Sequence, residues 1–304
     1  MMKKGKIISI ALLIFVTALV AYFLLKPQDY RIVFKVNTFP AVVSQTLKMW
    51  HNTLDNGQAI KQNSRKEIIQ QLKFNDSIQE YRWLIKPIND SLSEITLDIK
   101  DPAHSLAIRW NKLLGRDFIG PRSKKTVLEY ITKLNEHIAK FRIHSIEEVE
   151  LPTTFYAYVS INGKQKSKAR GMMANISYIT NFLIQNEIEF NGSPFVSVEH
   201  WDQKNDSIQY NFCFPIKRSD KLPVHEEIKY KKLFAKKALK VEFNGNYIYS
   251  DYAWYALLNY ATKNNIAIET TPIESFYNNP NMGGNELNWK ALIYMPLKED
   301  SIEF

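Results

Sequence analysis

The chain has 304 residues, 45% hydrophobic and 13% aromatic, with a formal charge of +9; this excludes a disordered polypeptide and leaves room for two domains with cores of their own. A lone cysteine, Cys213, excludes an internal disulfide and a multi-cysteine metal site, and only 10 glycines argue against glycine-rich phosphate loops. No Walker or dinucleotide fingerprint is present, so no cofactor is expected. Cys213 lies in the strand-like "YNFCFP", where it reads as a small buried hydrophobe.

"MMKKGK" followed by "IISIALLIFVTALVAYFLL" reads as a cytoplasmic stub and a transmembrane anchor over 1–28, with the membrane crossed by Ile7–Leu25. A cleaved signal peptide is the rival reading, but it needs a shorter apolar core and a small-x-small site, and Leu19 stands where a small residue is wanted. Lys3, Lys4 and Lys6 favour the N-terminus inside, while Lys26, Arg31 and Lys35 on the other flank reduce that asymmetry. The expectation is a single-pass bacterial inner-membrane protein with its bulk in the periplasm.

From about 29 to 145 the pattern is a strand at 30–37, a helix with Val42, Thr46, Met49 and Trp50 at helical spacing, then strands at 66–74, 77–86 and 93–100. "NDS" at 75–77 and at 89–91 supplies the turns, and "HSLAIRW" at 104–110 reads as continuing the meander. A long helix follows, with Val127, Ile131, Leu134, Ile138 and Phe141 on one face. This order, with "FKVNTFPAVV" at its start, resembles the START/polyketide-cyclase-like (SRPBCC) family and implies a helix-grip fold over 29–145. The meander is short and the family's tryptophan-rich segment is absent, which leaves a structural copy and a ligand-holding copy both open. His51, His104, His137 and His144 show no metal spacing, and "HEEIKY" at 225–230 lacks the second histidine of a zinc-peptidase motif.

Residues 150–298 repeat themselves. "FYAYVSINGK", a helix capped by Ser167 with Met172, Ile176, Ile179 and Leu183 on one face, then "FVSVEHW" and "SIQYNFCFPIK" make one pass. "ALKVEFNGN", a helix capped by Ser250 and presenting Trp254, Leu257, Leu258 and Ala261, then "IESFYNN" and "NWKALIYMPLK" make the second. Between them, 221–240 carries seven lysines and reads as a solvated connector. Nucleic acid is not an expected partner, because no arginine-rich, aromatic-interleaved motif accompanies the charge. The halves, about 150–218 and 236–298, mark a duplicated half-domain, and pairing them would bury a shared surface and leave a cleft at the join.

"SPFVSVEHWD", "TPIESFYNNP" and the closing "YMPLK" resemble the GyrI-like or AraC-type effector-binding family through about 150 residues, both halves in order. The resemblance implies a tandem β-α-β-β domain over 146–304 with a ligand groove between its halves. It also implies that Glu274 is the groove carboxylate among aromatic side chains; the matching position in the first half is Val196. The expected fold class is therefore α+β: a transmembrane helix, an SRPBCC-like domain, and a duplicated effector-binding domain.

Taken alone, a strand glutamate faces solvent, but Glu274 alternates with Phe276, and a carboxylate lining an aromatic groove must be paired, hydrogen-bonded or shifted in pKa. Ionised, it would select lipophilic cations; protonated or shared, it could serve as acid or base. Tyr294, Tyr277 and Trp289, with Tyr156 and Tyr158 from the first half, are candidate wall residues. Trp254, on its helix face, is a candidate that ordinary core packing also explains. The leading expectation is a membrane-anchored binder of a small hydrophobic or cationic ligand, a sensor or scavenger without its own DNA-binding segment. A hydrolase using Glu274 and a structural envelope protein with a vestigial groove stand as alternatives.

Overall fold

Period-two alternation along the strands builds two antiparallel sheets, and the computed structural model describes residues 2–64, 66–75, 77–89, 91–219 and 221–298. The chain divides into two compact units, Met1–Glu136 and His137–Phe304.

In the first unit, helix α1 (Met2–Leu25) precedes strand β1 (Tyr30–Val36) and helix α2 (Pro40–His51). Strands β2 (Gly57–Ser64), β3 (Glu67–Phe74), β4 (Ser77–Asn89) and β5 (Leu92–Lys100) follow, then helices α3 (Ser105–Leu113) and α4 (Ile119–Ile138). The sheet order is β1-β5-β4-β3-β2. Pro40 opens α2, where a missing N–H costs nothing, and Val42, Val43 and Leu47 are buried. Helix α4 brings Tyr130 against them: its hydroxyl donates to the Val43 carbonyl at 2.8 Å and its ring meets the Trp83 edge at 4.9 Å.

The expected anchor does not survive. Among the described residues no helix is long and apolar enough to cross a membrane, which corrects both the transmembrane segment at Ile7–Leu25 and the inner-membrane, periplasmic placement built on it. The ground is length and hydropathy; separately, the C-terminal end of α1 is tied into the protein. Arg109 of α3 donates to the carbonyls of Phe23 and Lys26 and pairs with Asp29 at 2.8 Å, while the Phe23 ring lies 6.3 Å from that of Trp110. The last turn of the apolar run is thus committed to α3. The side chains of Lys3, Lys4 and Lys6 lie outside the described residues, as do Asp76 and Asp90 of the two expected turns.

The fold class is corrected with it: the chain is mostly β-sheet, two antiparallel sheets with several helices. Residues 104–110, expected as strand, are helical in α3, because a short apolar run fits either period. Strand β2 was not expected.

In the second unit, strands β6 (Phe141–Leu151), β7 (Thr154–Lys164), β8 (Phe195–Asp202), β9 (Ser207–Pro215), β10 (Lys229–Leu233), β11 (Lys236–Gly245), β12 (Ile273–Phe276) and β13 (Lys290–Pro296) form one sheet in the order β10-β7-β9-β8-β12-β13-β11-β6. Helices α5 (Lys168–Gln185) and α6 (Tyr252–Lys263) join the successive strands. The two passes of the repeat meet at β8 and β12. Val196 pairs with Glu274, and two matched hydrogen bonds flank them, Phe276 N–H to the Pro194 carbonyl and Val198 N–H to the Pro272 carbonyl, both 3.0 Å. A local two-fold axis therefore runs through this register. Part of the lysine-rich connector is ordered as β10, an edge strand whose exposed lysines oppose further pairing.

His137 is buried against Phe141, Tyr249 and Tyr252, with Nε2 2.9 Å from the Tyr252 hydroxyl. Burial, with Lys140 nearby, lowers its pKa to about 4. A depressed folded-state value means that stability from the neutral ring is present above the unfolded value and lost as pH falls toward the folded one. Between about pH 7 and pH 4, wild type should therefore lose roughly 2 kcal/mol relative to His137→Phe in denaturant unfolding. An unchanged gap would show that His137 charges freely within the fold.

Candidate functional site

Glu274 sits at the centre of the sheet on the face that α5 and α6 cover, and it is fully buried. Alternation fixes that face: Glu274 stands level with Val196 on one side and Ile293 on the other, both fully buried. A carboxylate there needs partners, and three are supplied. Lys168 Nζ and Trp254 Nε1 donate to its two oxygens, and the Ser250 hydroxyl lies 3.2 Å away. Lys168, itself 2% exposed, also donates to Ser250 Oγ at 2.9 Å and lies over the Trp254 ring at 4.7 Å and the Phe276 ring at 6.0 Å.

Local sequence builds this arrangement. Lys168 opens α5 four residues before Met172, on the helix's apolar side, with Ser167 preceding it without a side-chain capping bond. Tyr210 donates to the Lys168 carbonyl at 3.1 Å, and Gly171 leaves the space: a Cβ there would meet the Tyr210 hydroxyl at 2.2 Å. Ser250 and Asp251 precede α6. Gln165 joins the two helices, donating to Asp251 at 2.5 Å and accepting from Trp201 at 2.9 Å and Tyr255 at 3.2 Å. Burial pushes the Asp251 carboxyl up to about 6 against the opposing pull of Lys168. The folded state then takes up a proton below about pH 6, so this group favours folding more as the solution is acidified through that range.

Beside the buried pair a cavity of about 830 Å³ opens between α5 and the loops of the second half. Met172, Met173, Phe276, Tyr277 and Trp289 line it, with Tyr247 at the start of the α6 segment. Its lining includes Asn278, with Asn279 and Pro280 from the "NPNMGGNE" of the longer hairpin. The charged side chains on its wall are Lys166 and Arg170.

The residues expected to share one groove separate into three groups. Phe276, Tyr277 and Trp289 line the cavity. Glu274 and Trp254 lie one layer behind it, bonded to each other. Tyr294, Tyr156 and Tyr158 are on the opposite face of the sheet, packed with Phe195, Cys213 and Ile273; this follows from register, since Tyr294 is level with Ile273 and not with Glu274. Placing them in one groove with Glu274 is corrected on that ground, and Glu274 itself is fully buried and paired, not on the cavity wall. Sequence reasoning missed Lys168, Gln165 and Asp251. A lysine in phase with Met172 and Ile176 was the available signal.

A family model for the GyrI-like small molecule binding domain matches residues 144–298. No curated protein matches the chain. Among solved structures, the chain is similar to the EcmrR C-terminal domain, at 16% identity and TM-score 0.45, over 51% of this chain and 98% of that one. It is also similar to SAV2435 bound to tetraphenylphosphonium, at 11% and 0.37, over 51% and 94%. A hydrolase from Listeria innocua is similar at 10% and 0.34, over 51% and 92%.

Removing one member of a buried ion pair leaves the other charge uncompensated, while removing both leaves shape without charge. Lys168→Met alone should therefore cost about 3–5 kcal/mol in equilibrium unfolding, and Lys168→Met with Glu274→Gln should recover most of that loss. Strictly additive losses would mean that the two charges do not meet.

Proposed function

The chain belongs to the GyrI-like small-molecule-binding family through residues 144–298, and we propose that its cavity beside α5 holds a lipophilic, ring-bearing molecule. The observation that carries this is the wall itself. A cavity of about 830 Å³ is the size of a drug-like ligand site. Phe276, Trp289 and Tyr247 offer flat aromatic surface, and ring contacts of this kind add about 0.5–1.5 kcal/mol each beyond the area they bury. Met172 and Met173 are unbranched and polarisable, so they let one wall follow ligands of different shape.

Binding without turnover is the role this geometry favours, that of a sensor or scavenger. Glu274, the carboxylate a hydrolase would use, is held by Lys168, Trp254 and Ser250. Its lone pairs are directed into those bonds, which leaves it poorly placed to take a proton from water.

Phenylnaphthylamine, a neutral dye that brightens in apolar surroundings, tests the cavity with the whole chain. Ala169 is on the wall, and Ala169→Trp should fill the space and weaken dye binding by about tenfold or more. Tyr294→Ala, on the other face of the sheet, should change it by less than about twofold. Equal binding by wild type and Ala169→Trp would remove the cavity as the ligand site.

A further inference from the structure

We propose that the ligand is a lipophilic anion, an apolar ring system bearing one acidic head group, with Lys166 and Arg170 receiving the head; this rests on the cavity being the ligand site. The first support is the charge of the wall. Lys166 and Arg170 are its charged side chains, and no carboxylate is among the described lining residues. Lys166, in the short 3-10 turn that leads into α5, and Arg170, in the first turn of α5, both border the same cavity. Elsewhere in this unit lysines meet glutamates, as in Lys217–Glu189, Lys231–Glu199 and Lys240–Glu147. Among the described residues neither Lys166 nor Arg170 is held in such a pair, so two cations face an apolar space without a counter-charge.

The second support is what Lys168 has done to Glu274. A position beside a carboxylate and over the rings of Trp254 and Phe276 is the environment in which a ligand's cation would rest. Here the chain's own ammonium occupies it, bonded to Glu274 and lying over the Trp254 ring at 4.7 Å. The acidic charge that would attract a cation is already neutralised, and the amine is 2% exposed. Two further carboxylates stand near and oppose an anion: Asp251, buried on Gln165, and Glu286, which accepts from Asn246 at 2.6 Å. Neither is on the described wall. The balance at the wall is positive.

Three probes separate the possibilities with the whole chain: anilinonaphthalene sulfonate, its uncharged relative phenylnaphthylamine, and the tetraphenylphosphonium cation. The sulfonate should bind about tenfold more tightly than the cation, and more weakly as salt is raised. Lys166→Gln with Arg170→Gln should weaken the sulfonate by about tenfold and phenylnaphthylamine far less. If Ala169→Trp blocks both dyes while the glutamine pair weakens them equally, or if the cation binds as tightly as the sulfonate, the anionic ligand is overturned and the cavity stands. If Ala169→Trp blocks neither dye, the cavity itself is overturned, and the anion with it.

Discussion

A carboxylate with no water around it is the constraint around which the second unit is arranged. Glu274 is level with apolar neighbours on both adjoining strands, so every compensation must come from the helices above. An isolated charge in that position would cost several kcal/mol after relaxation. Lys168 from α5 and Trp254 and Ser250 from the α6 segment meet the requirement together. One buried group thus fixes where two helices begin against the same sheet. The close seat of Tyr210 on Gly171 then holds the first turn of α5 in place.

The character of the cavity follows from that fastening. While Lys168 is turned inward, Lys166 in the turn before α5 and Arg170 in its first turn border the open space, and both are basic. The aromatic wall has a different origin. Phe276 continues the alternation that buries Glu274, while Tyr277 and Trp289 belong to the loop region of the lengthened hairpin.

Much of the sheet could be read from alternation, and the repeat could be read from paired motifs. The importance of Glu274 came from its alternation with Phe276 together with a family resemblance. Alternation reports which side chains of one strand share a face, but it is silent on how neighbouring strands are set against each other. A register that levels Tyr294 with Ile273 is enough to send Tyr294 to the far face. Lys168 was overlooked for a different reason: a lysine beside a serine cap looks like a solvated helix start, and only the tertiary partner reveals it as interior. In the first unit, "HSLAIRW" is too short to distinguish a period of two from one of 3.6. In the N-terminal apolar run, the sequence pattern is silent on the tertiary contact by which Arg109 ties down its end.

The pairing of Val196 with Glu274 has a consequence for how such a site can arise. In a homodimer of identical half-chains, the residue on the symmetry axis faces its own twin, whatever it is. A glutamate there would bring two carboxylates together in a dry interior, where they cannot both ionise, and a lysine at the position of Lys168 would likewise appear twice. Once both halves share a single polypeptide, each side of the axis is free to mutate separately. One side can remain valine while the other acquires an acid and calls for a single base. The buried Lys168–Glu274 pair is a broken symmetry, closed to a homodimer of identical halves and open to a chain that carries both halves covalently.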